Sequence, residues 1–137
     1  MIHRGSCICG AVRFEVTGPL DPIIGCHCEQ CRKGGGHFTV ATGAPIGAIT
    51  VHGNPRWYEY SPGVERGFCA TCGSQMFWRG KDRSRMSLHM GAFDTDPGLL
   101  LSAHIYVAEK GAFYELEDDL PQFDQGDASG QTTGRPT

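Results

Sequence analysis

Apolar and polar residues alternate over several short stretches of this chain, the pattern of β-strands with one buried face. The clearest stretch runs from Ala11 to Val16, where every second residue is a large apolar one. The other predicted strands are Phe38 to Thr42, Trp57 to Tyr60, Gln75 to Trp78, Met86 to Met90 and His104 to Val107. Turns containing Gly or Pro separate them, at Gly43 to Gly47, Gly53 to Pro55 and Pro62-Gly63.

Helix is predicted in only two places, and in both it is short. The first follows Cys28, where Glu29 to Lys33 precede three glycines, and the second is Leu99 to Ser102. The chain contains 20 Gly and 8 Pro in 137 residues, which disfavours long helices. The pattern therefore predicts a mainly β fold.

Length and composition indicate one small domain. The chain is 39% hydrophobic, enough for a modest core. Its last residues, 126–137, contain no large apolar side chain and so cannot offset the entropy lost on ordering. We therefore predict a folded domain at 1–125 and a disordered tail at 126–137.

The charge balance and the apolar runs exclude two classes of partner. Twelve basic residues stand against 15 acidic ones, for a net charge of -3, without the basic stripe that nucleic-acid binding requires. No apolar run approaches the roughly 18 residues of a membrane helix, and the first residues lack the apolar core of a secretory signal. A cytoplasmic location is expected, with neither nucleic acid nor membrane as a partner.

Seven cysteines fall into three groups, and this grouping is the main chemical signal. The groups are Cys7 and Cys9, then Cys26, Cys28 and Cys31, then Cys69 and Cys72. A reducing cytoplasm and an odd count argue against disulfides. A redox dithiol at the third group would need a helix opening on it, whereas Gly73-Ser74 indicates a turn. Metal binding is the remaining interpretation.

Two cysteine pairs, which we call half-sites, together supply four thiolates. Four thiolates are the usual ligand set of a closed structural zinc site. We predict that Cys7, Cys9, Cys69 and Cys72 hold this ion. The trio Cys26, Cys28 and Cys31 is then one ligand short of a tetrahedron, which is typical of catalytic zinc.

The spacing leaves alternatives open. Cys28 and Cys31 could pair with Cys69 and Cys72 in an ordinary zinc ribbon. His27 or His37 could complete a four-ligand site with the trio, although His27 lies between two ligands and is expected to project away from the ion. Iron could replace zinc at a four-cysteine site.

Three segments that contain the cysteines resemble the signatures of one family. They are Gly5 to Gly10, Cys26 to Lys33 and Arg66 to Ser74. With His104-Ile105-Tyr106 and the acidic segment Glu117 to Phe123, they resemble the glutathione-dependent formaldehyde-activating enzymes, a family that also contains the zinc domain of centromere protein V. The resemblance covers nearly the whole chain.

This resemblance implies an Mss4-like fold of several small coiled antiparallel sheets held by zinc. It implies a structural zinc on Cys7, Cys9, Cys69 and Cys72 and a catalytic zinc on Cys26, Cys28 and Cys31, two ions per chain. The implied activity is that of a carbon-sulfur lyase that condenses glutathione, as co-substrate, with formaldehyde or a related small aldehyde to an S-(hydroxyalkyl)glutathione. A small-molecule thiol and an aldehyde are then the partners.

Other residues are candidates for supporting roles. Arg32 and Lys33 follow the trio and are positioned in sequence to offset its negative charge or to hold a glutathione carboxylate. The predicted proton carriers are His37, His89 and His104. The aromatic residues that could line a cleft or belong to the core are Trp57, Tyr58, Tyr60, Phe77 and Trp78. Two other functions fit the cysteines: a non-enzymatic module that binds zinc and a protein or thiol, and a transition-metal sensor or store.

Overall fold

The computed structural model describes residues 1–126, which form two β-sheets and one short α-helix. The strands are β1 (Ile2–Ser6), β2 (Arg13–Thr17), β3 (Ile23–Cys26), β4 (Thr39–Pro45), β5 (Ile49–His52), β6 (Arg56–Ser61), β7 (Val64–Phe68), β8 (Gln75–Arg79), β9 (Arg85–His89) and β10 (Leu101–Ile105). Helix α1 spans Glu29–Gly35, and single 3-10 turns lie at Ile46–Ala48, Met90–Ala92 and Val107–Glu109. The predicted mainly β fold is confirmed.

The smaller sheet has the order β1-β2-β5 and the larger one β10-β3-β4-β9-β8-β7-β6. Neighbouring strands are antiparallel except β10 and β3, which are parallel. Through this pairing the last strand, β10, lies beside β3, the strand that precedes α1.

The main core lies where β2 packs against β8 and β9. Phe14 is 1% exposed and meets Phe77 edge to face with 5.9 Å between ring centroids. Met76 and Leu88 are fully buried in the same cluster, which also contains Cys7 and Cys69. Each fully buried side chain of this kind contributes roughly 1.5–3 kcal/mol through burial. Two of the cysteine groups are therefore anchored to the best-packed part of the molecule.

A second core surrounds β3 and β10. Ile24 and Ile105 are buried there together with the three cysteines of the middle group, and Phe123 packs against them. All four residues of β3 are buried, so this strand shows no alternation of apolar and polar residues. For that reason the pattern of the sequence did not reveal it.

The six predicted strands all correspond to observed strands, namely β2, β4, β6, β8, β9 and β10, with shifted ends. The four strands that the pattern missed are β1, β3, β5 and β7. The short helix after Cys28 is confirmed as α1.

Two local predictions are wrong. Leu99 to Ser102 is not a helical turn, because β10 begins at Leu101 and pairs with β3, and the Ser102 hydroxyl donates to the Ile23 carbonyl at 2.7 Å. Gly43 to Gly47 is not a turn throughout, because β4 continues to Pro45 beside β9. In both places pairing with a distant strand outweighs the local preference.

The predicted tail at 126–137 lies outside the described residues except for Gly126, and the domain boundary stays a prediction. Within residues 1–126 there is no helix with the length and apolarity needed to cross a membrane.

Candidate metal centres

Four cysteines beside the main core meet at one point. The sulfurs of Cys7, Cys9, Cys69 and Cys72 all lie within 4.8 Å of one another. The Cys9 sulfur is 3.7 Å from that of Cys7 and 3.8 Å from that of Cys69, which is 60 residues away. This first cluster joins the turn after β1 to the turn between β7 and β8.

A tight glycine turn shapes each half of the first cluster. Gly10 and Gly73 have φ values of 81° and 79°, a left-handed conformation that side chains other than glycine rarely adopt. The turns direct backbone N–H groups at sulfur: Val12 donates to Cys7 at 3.3 Å and Thr71 to Cys69 at 3.4 Å. Such N–H groups stabilise thiolates, the form that binds metal.

The spacing of these sulfurs fits a tetrahedral ion. With zinc-sulfur bonds of about 2.3 Å, two sulfurs of a tetrahedron are about 3.8 Å apart. The Cys7–Cys9 and Cys9–Cys69 sulfur separations, 3.7 and 3.8 Å, agree with this value. The hydroxyl of Ser74, followed by backbone N–H groups, lowers the pKa of Cys72 to about 5, so this thiol also favours its metal-binding form.

The middle group forms a second cluster at the start of α1. The sulfurs of Cys26, Cys28 and Cys31 lie within 4.8 Å of one another, and all three residues are buried. Cys26 ends β3, Cys28 is the N-cap of α1, and Cys31 lies in the first turn. The Cys28 sulfur accepts the Cys31 N–H at 3.3 Å, so the helix start itself brings these two sulfurs together.

Arg66 on β7 reaches the second cluster. Its Nη2 donates to the Cys31 sulfur at 3.1 Å, and the residue is only 6% exposed. The Cys26 and Cys28 thiols, and then Arg66, lower the pKa of Cys31 to about 2, whereas the neighbouring sulfurs and burial raise the pKa of Cys26. The Arg66 guanidinium therefore favours the thiolate form of Cys31, and a bound cation would favour the thiolate forms of its neighbours in the same way.

The predicted partition of the cysteines matches the two clusters, and their roles as ligands stay predictions. The alternative ribbon of Cys28, Cys31, Cys69 and Cys72 does not occur, because these residues belong to different clusters. Within the described residues neither histidine proposed as a fourth ligand belongs to the cluster of three.

His27 instead belongs to a buried polar network. The Asp118 carboxylate accepts the His104 Nε2 proton at 2.8 Å, His104 Nδ1 lies 2.8 Å from His27 Nε2, and His27 Nδ1 lies 2.5 Å from the Tyr114 hydroxyl. The carboxylate can only accept, so with neutral rings every hydrogen bond of the network runs in the same direction. Tyr114 donates to His27, His27 donates to His104, and His104 donates to Asp118. Burial, then His104, lowers the pKa of His27 to about 4, which keeps it neutral.

The network explains why His27 points away from the second cluster, as the sequence predicted. It also places His104, one of the predicted proton carriers, inside the protein at 1% exposure.

A groove runs between the two clusters. It has a volume of about 710 Å³ and is lined by Cys7 and Ser74 beside the first cluster and by Gly34, Gly35 and Arg66 beside the second. This volume lies within the range of small-molecule sites, roughly 300–1,000 Å³. Gln75 also lines it, and the buried Oε1 of Gln75 has no hydrogen-bond partner among residues 1–126.

The other predicted site residues divide between surface, groove and core. Lys33 pairs with Glu29 on the surface at 3.7 Å, so Arg66 rather than Lys33 is the cation on the second cluster. Tyr58 and Tyr60 are exposed and line a second groove of about 550 Å³. Phe77 is core, whereas Trp78 is both buried and part of a small cavity beside Cys26.

Sequence reasoning missed Arg66 as a functional residue. The sequence carried only a weak signal, a charged residue three positions before Cys69. Only the structure showed which cysteine Arg66 contacts, through its hydrogen bond to the Cys31 sulfur.

Comparisons with known proteins agree with this architecture. The model of the family described as glutathione-dependent formaldehyde-activating enzyme matches residues 2–109. A Halomonas elongata protein whose name assigns it provisionally to these enzymes is 34% identical over 131 residues, covering 85% of this chain and 82% of that protein.

Two further proteins match this chain at lower identity, and each match covers most of that protein's length. An uncharacterized lyase of Schizosaccharomyces pombe is 20% identical over 123 residues, covering 88% of this chain and 90% of that protein. A crystal structure of a Rhodobacter sphaeroides protein superposes with a TM-score of 0.58 at 25% identity, covering 69% of this chain and 91% of that one.

Proposed function

We propose that this chain, which belongs to the glutathione-dependent formaldehyde-activating enzyme family, is a zinc-dependent carbon-sulfur lyase that condenses glutathione with formaldehyde or a related small aldehyde. The observation that carries the proposal is the second cluster: three buried cysteines, one ligand short of a tetrahedron, beside a groove large enough for a tripeptide.

In this proposal the first cluster holds a structural zinc and the second a catalytic zinc. Four thiolates on Cys7, Cys9, Cys69 and Cys72 close a coordination sphere, whereas Cys26, Cys28 and Cys31 leave one position for a substrate. Zinc at the second cluster would deprotonate a fourth thiol, which in water is only a few per cent thiolate at pH 7.

Groups in the groove suit glutathione. The molecule carries two carboxylates, two amides and an ammonium group. The Arg66 guanidinium suits a carboxylate. Gly34 and Gly35 lack side chains, so the substrate backbone can approach α1 closely.

The reaction balances without an oxidant or reductant. The thiol sulfur donates an electron pair to the carbonyl carbon, the carbon-sulfur bond forms, and the carbonyl π pair moves to oxygen. The proton lost by the thiol returns to that oxygen and gives the hydroxyl of S-(hydroxymethyl)glutathione. His89 lines both the groove and the cavity beside Cys26, which places it better for this transfer than the buried His104.

Metal content and turnover on one preparation test the proposal. Protein purified anaerobically without chelators is expected to carry about two zinc ions per chain. It should also form the glutathione adduct above the fast uncatalysed rate. Two zinc ions without any excess rate would instead support the non-enzymatic module, and about one ion would contradict a second zinc site.

Arg66 is expected to raise the zinc affinity of the second cluster, because it holds the Cys31 sulfur in place. Replacing Arg66 with Met removes the only side-chain donor to Cys31 among the described hydrogen bonds, and we expect zinc affinity at the second cluster to fall about 10- to 100-fold. Competition with a chromogenic chelator measures this. Arg13→Met, on the exposed side of β2, is the matched control. Equal affinities in the two variants would contradict the role.

A further inference from the structure

The loop that joins β3 to α1 carries two of the three cysteines of the second cluster, and a distant part of the chain holds it. Cys26 pairs with Ile105 on β10. The backbone N–H of His27 donates to the Ile105 carbonyl at 3.0 Å. The N–H of Glu29 donates to the Glu109 carboxylate, also at 3.0 Å, across 80 residues of sequence. The position of this loop therefore depends on the segment that follows β10.

Within the loop, the side chain of His27 is fixed at both ring nitrogens. Its Nε2 lies 2.8 Å from Nδ1 of His104, and its Nδ1 lies 2.5 Å from the Tyr114 hydroxyl. The ring also stacks on Phe38, with 4.4 Å between centroids and 26° between planes. A buried ring that is hydrogen-bonded at two edges and stacked on one face cannot turn without breaking these contacts.

The conformation of His27 in turn controls the distance between two candidate ligands. His27 is the single residue between Cys26 and Cys28, and each residue contributes two soft backbone dihedrals. Since a fixed ring restricts the backbone that carries it, these two dihedrals are restricted as well. The three sulfurs of the cluster lie within 4.8 Å of one another, the arrangement that a shared ion requires.

The outer end of the network is the Asp118 carboxylate, which is 41% exposed. Because it only accepts, it places the proton of His104 on Nε2, and the proton of His27 then also lies on Nε2. None of His27, His104, Tyr114 and Asp118 lines the groove or the cavity beside Cys26. The network therefore meets the loop and not a molecule bound in the groove.

We propose that His104, Asp118 and Tyr114 are positioning residues for the second cluster, which hold Cys26 and Cys28 at the separation that zinc needs by fixing the His27 ring between them. The inference rests on the proposed function, since it takes the second cluster as a zinc site. Outer-shell partners change metal affinity about 10- to 100-fold. These residues act through one loop and do not contact sulfur, so we expect the lower end of that range.

Replacing Tyr114 with Phe tests the inner end of the network. The change removes one hydroxyl and keeps the ring that stacks on His27. We expect zinc affinity at the second cluster to fall about tenfold in competition with a chromogenic chelator, while the first cluster keeps its zinc. A general loss of stability would instead weaken both clusters. Tyr58→Phe, which removes an exposed hydroxyl, is the control, and equal affinities in the two variants would refute the role.

Replacing Asp118 with Ala tests the outer end, and Asp124→Ala, exposed in the same segment, is its control. Asp118 also accepts the Leu120 N–H, so the double variant with Tyr114→Phe separates this local turn from the network. If both residues act through the His27 ring, the double variant loses less affinity than the product of the two single losses. Losses that multiply in full would mean that the two residues act independently, and would refute a shared network.

The tautomers of the two histidines provide a readout that a purely structural role would not change. In the zinc-loaded protein, ¹⁵N chemical shifts should place the proton of both rings on Nε2. Tyr114→Phe should keep this state, whereas Asp118→Ala should lose it with the acceptor that selects it. A proton on Nδ1 of His104 in the parent protein would refute the proposed direction.

None of these measurements uses turnover, so the two proposals can fail separately. A protein that binds the second zinc and forms no glutathione adduct above the uncatalysed rate refutes the proposed function. The zinc affinities of the Tyr114 and Asp118 variants still confirm or refute the positioning role in that case.

Discussion

Replacing Cys28 with Ser is expected to abolish turnover and to remove one of the two zinc ions per chain, while the chain stays folded. Cys28 is a candidate zinc ligand and also the N-cap of α1, where its sulfur accepts the Cys31 N–H at 3.3 Å. Serine is a good N-cap but a poor zinc ligand. The substitution therefore keeps the start of the helix and removes the metal chemistry.

The rate above background should fall by more than about 100-fold, because loss of a direct ligand exceeds the effect of an outer-shell partner. Zinc content and thermal unfolding are measured on the same sample. Cys28→Ala is the matched variant: it should lose the same activity and about 1 kcal/mol more stability, since alanine cannot cap the helix. Full turnover by either variant would show that the second cluster is not the catalytic site.

Replacing Cys72 with Ala is expected to unfold the chain. The first cluster holds the turn after β1 against the turn between β7 and β8, and no disulfide joins these two turns. Zinc binding at such a closed site contributes on the order of 10 kcal/mol, comparable to the whole stability of a small domain. Loss of one of four ligands should remove most of that contribution.

Near-ultraviolet circular dichroism and a thermal scan detect this result as the loss of fixed aromatic packing and of a cooperative transition. Thr71→Ala is the control, because the exposed Thr71 contributes only its backbone N–H to the Cys69 sulfur. Its stability should stay within about 0.5 kcal/mol of the parent chain. A Cys72→Ala protein that melts close to the parent would contradict a structural zinc at this cluster.

Together the two substitutions separate the clusters by their consequences. The substitution at the second cluster, near α1, should abolish turnover and leave the chain folded. The substitution at the first cluster should unfold the chain. If both variants were equally folded and equally active, neither role would hold.

The sequence by itself determined the features that depend on near neighbours. Cysteine spacing showed which thiols form half-sites, because two residues on either side of one turn stay close in any fold. Glycine after Cys72 indicated a turn, and Gly73 adopts the left-handed conformation that such a turn requires. Alternating residues located β2 for the same reason, since its two faces meet different environments.

Only the tertiary structure decided which distant elements meet. Arg66 lies 35 residues from Cys31, and His104 lies 77 residues from His27. β3 is buried on both faces and pairs in parallel with β10, so nothing in its own pattern distinguishes it from a loop or a helix. Cavity walls, buried donors and charge partners are set by the packing of several elements at once, and local periodicity carries no record of that packing.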